Sequence, residues 1–425
     1  MPDPPLFVEK FPPREISVKK IKEFLGAQDA ARIRAWLSLC SRCGLCAESC
    51  YVYLSNGRAP KLSPAYKVKS TLGELVKRKG RVDQAFLEKC HEVSWLQCSL
   101  CKRCTVFCPF GIDVATMLSL VRSVCQGQDM APDKLKFFTK NCDETGNHAG
   151  LTLEELVETC EWMAEESRDT VRGVTIPFDR EDAEYMYTIN PREAQFYPQD
   201  IAMAAQIFTL AGENWTMPSM GWDCTNLPMF TGDRKTAGKQ AEYVYSQARK
   251  LRAKKILITE CGHAFRSLKF EGPYLAGYAD GLAPVPVVHY VELLAEYLDS
   301  GRIKIDPAKK LKKPVTYQDP CNLSRNGGVW EAPRRIIAHL CEDFRDMAEN
   351  RDRNHCCGGG GGILPMGPDY RPRRMANGRY KADQIKATGA SYLIAPCHNC
   401  FDQCRDLSEF YELGVKVVSF KELVL

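Results

Sequence analysis

Cysteine carries most of the chemistry available to this chain. Cys40, Cys43, Cys46 and Cys50 form a run with two, two and three residues between them. Cys98, Cys101, Cys104 and Cys108 repeat that run, and Pro109 follows it. Thiolates are soft ligands that select zinc, copper or iron–sulfur centres. Thiols two residues apart can turn around one cubane and supply three of its ligands, while the fourth Cys of each run ordinarily ligates the other cluster. The spacing predicts one cubane 4Fe–4S cluster on Cys40, Cys43, Cys46 and Cys108, and a second on Cys98, Cys101, Cys104 and Cys50. Tyr51 stands where the first run would normally carry proline, which removes no ligand. Zinc is the alternative, but it takes four ligands, and here eight are regularly placed.

A second group lies near the C-terminus. His355-Cys356-Cys357 runs into five glycines, Gly358 to Gly362. Adjacent side chains diverge on a helix and oppose each other on a strand, so two neighbouring sulfurs reach one object only if the backbone bends. Glycine permits that bend and lets backbone N–H groups approach a bound anion. Gly358 and Gly359 are therefore candidate cofactor contacts, in a loop wrapped around a metal–sulfide centre. Cys321 lies upstream, in Asp319-Pro320-Cys321-Asn322, and Cys397 and Cys400 lie downstream, in Pro396-Cys397-His398-Asn399-Cys400.

Composition narrows the classes. The chain has 425 residues, 21 of them Cys, and a formal net charge of +5. Length allows two or three domains, and so mild a charge argues against a nucleic-acid partner. The first residues carry prolines and charges where a secretory leader needs an apolar core. Clustered cysteines in a cytoplasmic setting then mean metal or redox work rather than disulfides. No run of eighteen or more apolar residues is present, so membrane attachment is expected to come through a partner.

The elements that must position these cysteines follow in order. Residues 1–35 read as a proline-rich arm and helix, either frayed or lying along a partner, with helical periodicity from Ile16 to Leu39. Residues 36–126 read as a helical two-cluster ferredoxin domain, with a helical insert from Ser63 to Cys98. The basic stretch Lys61 to Arg81 within it suits a solvated face, an acidic partner or an anionic membrane surface. Residues 127–185 form an acidic helical linker containing an amphipathic helix from Leu153 to Ser167. Cys90, Cys125, Cys142 and Cys160 stand alone and are expected to be buried small hydrophobes.

The remainder is an internal duplication, residues 186–305 and 306–425. Lys255–Ala264 aligns with Ser391–Cys400, Tyr187–Arg192 with Tyr317–Cys321, and Trp222-Asp223-Cys224 with His355-Cys356-Cys357. Strands alternating with helices predict a parallel sheet in each half. The fold class is thus α+β and multidomain, a helical two-cluster domain followed by two duplicated α/β halves. Ligands bind outside the carboxyl ends of such strands, where Cys261, Cys321 and Cys397 fall. The second half carries Cys321, Cys356, Cys357, Cys397 and Cys400; the first has Arg192, Asp223, Cys224, Cys261 and Ala264 at those places. Two thiols cannot hold a cluster of this kind, so the first half is a scaffold or a substrate surface. Cys404 is expected to be a buried thiol beside the ligands.

On these motifs the chain resembles the CCG-domain family typified by heterodisulfide reductase, over roughly residues 30 to 425. Within it the chain is most similar to HdrD-like subunits, of the DsrK and TmcB type found in transmembrane redox complexes of sulfate reducers. The resemblance implies a noncubane 4Fe–4S cluster on the five second-half cysteines, and chemistry on a disulfide or trisulfide, either a small molecule or one carried by a protein of the DsrC type. It also implies an integral haem b or quinone-linked membrane partner, holding the chain peripherally at the inner face of the cell membrane. His263, His355 and His398 lie near the ligands, where one could donate a proton to a leaving thiolate or simply hold structure. Arg192 could favour an incoming thiolate or carboxylate, and the vacated first half could form the substrate entrance, with Cys224, Cys261 and His263 facing the cluster. Two alternatives stay open: a pure electron relay serving a glycolate, lactate or glycerol-phosphate dehydrogenase, and a zinc-stabilised interaction module.

Overall fold

The computed structural model describes residues 7–26 and 30–425. The N-terminal part is helical, and polar caps start its helices by accepting from otherwise orphaned N–H groups. Ser17 caps Val18–Leu25, Ser63 caps Pro64–Val68, Asp83 caps Gln84–His91 and Asp113 caps Val114–Gly127. The insert between the cysteine runs is helical as expected, but π turns at Lys69–Gly73 and Glu92–Leu96 bend it back on itself. Val114–Gly127 is its packing axis, with Leu118, Val121, Val124 and Cys125 fully buried.

The proline-rich arm, whose first six residues lie outside the described ones, packs on its own chain from Phe7 onward. The Arg14 guanidinium donates to Gln128 O at 3.1 Å, and Asp133 N and Tyr370 OH donate to the Glu9 carboxylate at 2.9 and 3.2 Å. Arg14 and Gln128 are 114 residues apart, so these contacts arise only once the body has folded.

Two wholly parallel sheets follow. The first has four strands in the order β2-β1-β3-β4: β1 Tyr185–Thr188, β2 Trp215–Thr216, β3 Lys255–Ile258 and β4 Val287–His289. The second has three in the order β5-β6-β7: β5 Val315–Tyr317, β6 Tyr392–Ile394 and β7 Lys416–Val418. Tyr187 pairs with Leu257 in the first sheet and Tyr317 with Ile394 in the second. β1, β3 and β4 thus correspond to β5, β6 and β7, as the sequence repeat requires. The counterpart of β2 has shrunk to a single bridge between Val315 and Phe344.

The two halves share one core. Ile394, Val418 and Phe420 of the second half pack in the same buried cluster as Tyr187, Ile258 and Tyr290 of the first. Each large apolar side chain so buried contributes about 1.5–3 kcal/mol. The helical part is joined just as directly. Trp95 is buried and its indole N–H donates to Phe230 O at 2.9 Å. Met229, Phe230, Ile363 and Tyr370 sit in the same apolar cluster as Leu118 and Val121.

Candidate metal centres and the cleft beside them

Both cysteine runs turn in the same unusual way. Arg42 and Leu100, each two residues after the first Cys of its run, have φ of 60° and 56°. Gly44 and Lys102, four residues after it, have φ of 89° and 61°. Positive φ is uncommon outside glycine and marks a constrained turn. Its recurrence at matching positions curls each C-x-x-C-x-x-C around a common centre. Short helices, Leu45–Glu48 and Arg103–Val106, then carry the third Cys of each run.

The turns enclose two small cavities. Cys40, Cys46, Cys104 and Cys108 line the first, and Cys50, Cys98, Cys101 and Cys104 the second. The last Cys of each run thus crosses to the other run's cavity, the exchange expected from spacing. Cys104 walls both. Cys43 is exposed, unlike the other seven. Burial, with neighbouring thiols adding to it, pushes the Cys104 thiol well up and Cys98 up to about 11. Proton loss there needs a compensating positive charge, which a metal centre supplies.

The five second-half cysteines also converge, all of them buried. Cys357 Sγ lies 3.3 Å from Cys400 Sγ, and the thiols of Cys397 and Cys400, of Cys356 and Cys357, and of Cys321 and Cys356 are within hydrogen-bond reach. Hydrogen bonds from the Cys356 and Cys400 thiols lower Cys357 to about 6. Gly358 N donates to Cys356 Sγ at 3.4 Å and Gly359 N reaches Cys357. Cys404 is buried beside this set, where burial pushes it up to about 12.

The glycine run has a second role that spacing did not reveal. A Cβ on Gly361, whose φ is +70°, would lie 2.7 Å from the Ser99 backbone. Only glycine lets this loop lie against the second cysteine run. The approach brings Ser99 Oγ to 3.2 Å from Cys356 Sγ and the Cys101 thiol within hydrogen-bond reach of it. The three thiol sets therefore form one line, joined at Cys104 and at the contact of Cys101 with Cys356.

Buried cations flank this line. Lys67, 2 % exposed, donates to Gln97 O at 2.6 Å and stands 3.9 Å from Cys50 Sγ. Arg122, fully buried, donates to the carbonyls of Ser94, Phe230, Gly361 and Cys98. Neither forms an ion pair with a carboxylate among the described residues. Arg325 donates to Cys101 O at 2.8 Å, and buried Lys381 lies near Cys357 and Cys404. A buried unpaired charge is costly. These cations make sense against anionic centres held by several thiolates, so the donor sets fit iron–sulfur clusters.

A cleft of about 350 Å³ opens between the two halves and reaches Cys397. Tyr197, Asp200 and Glu260 line it from the first half, and His398, Phe401 and Asp402 from the second. Its position outside the strand ends agrees with the general rule for parallel sheets. The anticipated catalytic residues fare differently. His398 lines the cleft, its Nε2 3.2 Å from Asp200 Oδ2. Burial opposes its ionisation, but the carboxylates of Glu193 and Asp200 outweigh burial and hold the imidazolium. His263 does not line the cleft: Nε2 engages Thr225 O and Nδ1 engages the Asn399 amide, both at 2.9 Å. Burial lowers it to about 4. Arg192 is drawn to Asp402 and lies over Tyr197 at 5.4 Å, behind the cleft wall. His355 is buried against Glu349 at 2.7 Å.

Nor does the vacated first-half site form the entrance. Asp223, at the place of Cys356, is fully buried and accepts from His148 N and Nδ1 at 2.9 Å and from Thr225 N at 2.8 Å. Cys224 is packed against Ile189 O at 3.2 Å. Side chains filled this space because close-packed interiors leave few voids. Cys261 does face the second half, its thiol within hydrogen-bond reach of His398. Glu260 is the cleft residue that sequence reasoning passed over. Its neighbour Cys261 drew attention by type, whereas a carboxyl at a strand end becomes notable only when its burial is known.

Fold and site together define an iron–sulfur oxidoreductase that joins a two-cluster domain to a cysteine-rich α/β domain. The family described as 4Fe-4S dicluster domain matches residues 36–112, and the cysteine-rich domain family, CCG, matches residues 315–405. The chain is 24% identical to the Hdr-like menaquinol oxidoreductase iron-sulfur subunit 2 of Archaeoglobus fulgidus, over 97% of this chain and 82% of that one. It is 25% identical to the HdrD protein of the dihydromethanophenazine:CoB–CoM heterodisulfide reductase of Methanosarcina barkeri, over 91% and 93%. The EtfAB:quinone oxidoreductase of Syntrophomonas wolfei is 23% identical over 91% of this chain and 56% of its own length. The chain belongs to the CCG-domain heterodisulfide reductase family, as an HdrD-like iron–sulfur protein.

Proposed function

We propose that this chain is the electron-transfer and catalytic subunit of a membrane-linked redox complex, reducing or oxidising a disulfide or trisulfide between its two α/β halves. One observation carries this function: the cleft between the halves ends on Cys397, one of five thiols that converge there. A pure relay would have no need of an opening at that place.

Two cubane clusters would be held by Cys40, Cys43, Cys46 and Cys108, and by Cys98, Cys101, Cys104 and Cys50. A noncubane cluster would be held by Cys321, Cys356, Cys357, Cys397 and Cys400. When bound, these groups supply single electrons and gather the two that cleavage of a sulfur–sulfur bond needs. The chain's residues do the rest. Cys43 presents the exposed end of the thiol line to a partner. The Cys101–Cys356 contact joins the helical domain to the α/β halves. Tyr197 and Phe401 give the cleft an apolar wall, and Asp200 with His398 holds protons at its floor. The same proposal divides the chain at residues 36, 127, 186 and 306. No helix among the described residues is long and apolar enough to cross a bilayer, so an integral haem b or quinone-linked partner would hold the chain at the inner membrane face. The relatives named as menaquinol and quinone oxidoreductases support that partner.

The test is turnover. Anaerobically purified protein supplied with reduced methyl viologen should reduce bis(2-hydroxyethyl) disulfide, and isolated membranes should retain the chain with a haem- or quinone-binding subunit. Viologen oxidation that loads the clusters once and then stops, with no thiol released, would establish the relay instead.

The buried cations give a further prediction. Lys67→Met removes one unpaired charge beside the second cubane and leaves the first untouched. A unit charge about 6 Å away at an effective dielectric near 20 is worth about 3 kcal/mol. With partial screening the second cubane should fall by about 60–100 mV. Potentiometric titration followed by electron paramagnetic resonance reads both cubanes; equal movement, or none, would refute the assignment.

A further inference from the structure

The floor of the cleft holds an unusual concentration of ionisable groups. Glu193, Asp200 and His398 place ligand atoms within 4.8 Å of one another, a spacing a metal ion could use. Lys421 already fills that role: its ammonium lies 3.3 Å from Glu193 Oε1 and 3.3 Å from Asp200 O. Glu193 is also occupied by Asn190 N at 2.8 Å and Thr259 Oγ1 at 2.7 Å. Two cations, on Lys421 and His398, therefore face two carboxylates, Glu193 and Asp200.

Glu260 is a third carboxyl in this network and has no cation left to it. It follows β3, is 3 % exposed, and lines the cleft together with Cys397 and His398. Its backbone oxygen accepts from His398 N at 3.1 Å, which fixes it against the residue after Cys397. Its Oε1 is buried without a hydrogen-bond partner. A buried carboxylate oxygen lacking a donor is strongly unfavourable, whereas a carboxylic acid can carry its proton there and aim it into the cleft.

We propose that Glu260 is the acid that protonates a thiolate leaving in this cleft. The inference rests on the disulfide chemistry proposed above. Reductive cleavage breaks the S–S bond with two electrons drawn through the chain from its redox partner, and leaves two thiolates. Glu260 gives its proton to one and becomes a carboxylate; solvent protonates the other and, past Asp200, restores the acid. In the oxidising direction the same carboxylate accepts the proton. The groups facing Glu260 are Lys421, Asp200, His398, Glu193, Tyr290 and Tyr317. Burial dominates over them and pushes Glu260 up to about 8, which keeps the acid form through neutral pH.

The experiment uses the full-length, cluster-loaded protein with reduced methyl viologen and bis(2-hydroxyethyl) disulfide. Glu260→Gln should lower disulfide turnover about 100-fold, the usual worth of a positioned acid, while viologen reduces the cubanes at the wild-type rate. Wild-type turnover should fall as pH rises through about 8, since the donor is then ionised, and the glutamine variant should lack that limb. Glu260→Asp keeps an acid one methylene shorter; it should recover part of the rate and the pH limb. It also carries the test if the glutamine variant loses clusters. A glutamine variant with wild-type turnover and an unchanged pH profile would overturn the proposal and leave the disulfide function standing. A wild-type protein that reduces no disulfide would overturn both.

Discussion

Replacing Cys357 by Ser should leave a protein that takes up electrons normally but no longer turns over a disulfide. Cys357 is the most connected of the five second-half thiols, 3.3 Å from Cys400 and within hydrogen-bond reach of Cys356. A hydroxyl there is a harder and far less acidic ligand. Iron should fall from about twelve to about eight atoms per chain, the loss of one four-iron group with both cubanes kept. Disulfide turnover should fall to the background rate, because the cleft then ends on an empty thiol set. Iron and acid-labile sulfide analysis, with electron paramagnetic resonance of the reduced cubanes, reads each part separately. A wild-type protein fully loaded at about eight irons would remove the third centre altogether.

The second large effect is expected at Arg122. Arg122→Leu should destabilise the whole chain, by about 3–5 kcal/mol. The guanidinium donates to Ser94, Cys98, Phe230 and Gly361, so one side chain ties the helical insert, the second cysteine run, the first α/β half and the glycine loop together. Leucine fills much of the volume but leaves four buried carbonyls without that donor, each costing about 1 kcal/mol or more. It also withdraws the positive charge beside Cys98, so the second cubane should be lost first. Anaerobic urea unfolding followed by tryptophan fluorescence, with cluster absorbance in parallel, measures both. Arg122→Lys should recover little, since an ammonium has three donors and no fork to span carbonyls from separate segments. A leucine variant with the wild-type midpoint would show that the carbonyls are satisfied without Arg122.

Much of the architecture was legible in the chain because it is local. Ligand spacing within each cysteine run is set by covalent reach, so the crossed sets were expected from residue types alone, and Cys108 and Cys50 do lie in each other's cavity. The duplication was legible because parallel β–α units write a repeating pattern of apolar strands and helices. Both sheets are parallel, with corresponding strand orders. Cys90, Cys125, Cys142 and Cys160 are buried, as isolated cysteines usually are.

What residue types could not decide were contacts between distant segments. Arg192 looked like an anion receptor and is instead held by Asp402, 210 residues away. His263 looked available, yet both ring nitrogens are engaged. The proximity of Cys101 to Cys356 depends on Gly361 lying against Ser99. Glu260 drew notice only through the burial of its unpartnered oxygen beside the cleft. The physical reason is common to all four. Which thiols can share a centre follows from short stretches of backbone, but whether a charged side chain is free, paired or stranded depends on the side chains that packing brings around it. The sequence by itself determined the cofactor-binding sets and the order of the layers; the tertiary structure decided which residues face the cleft.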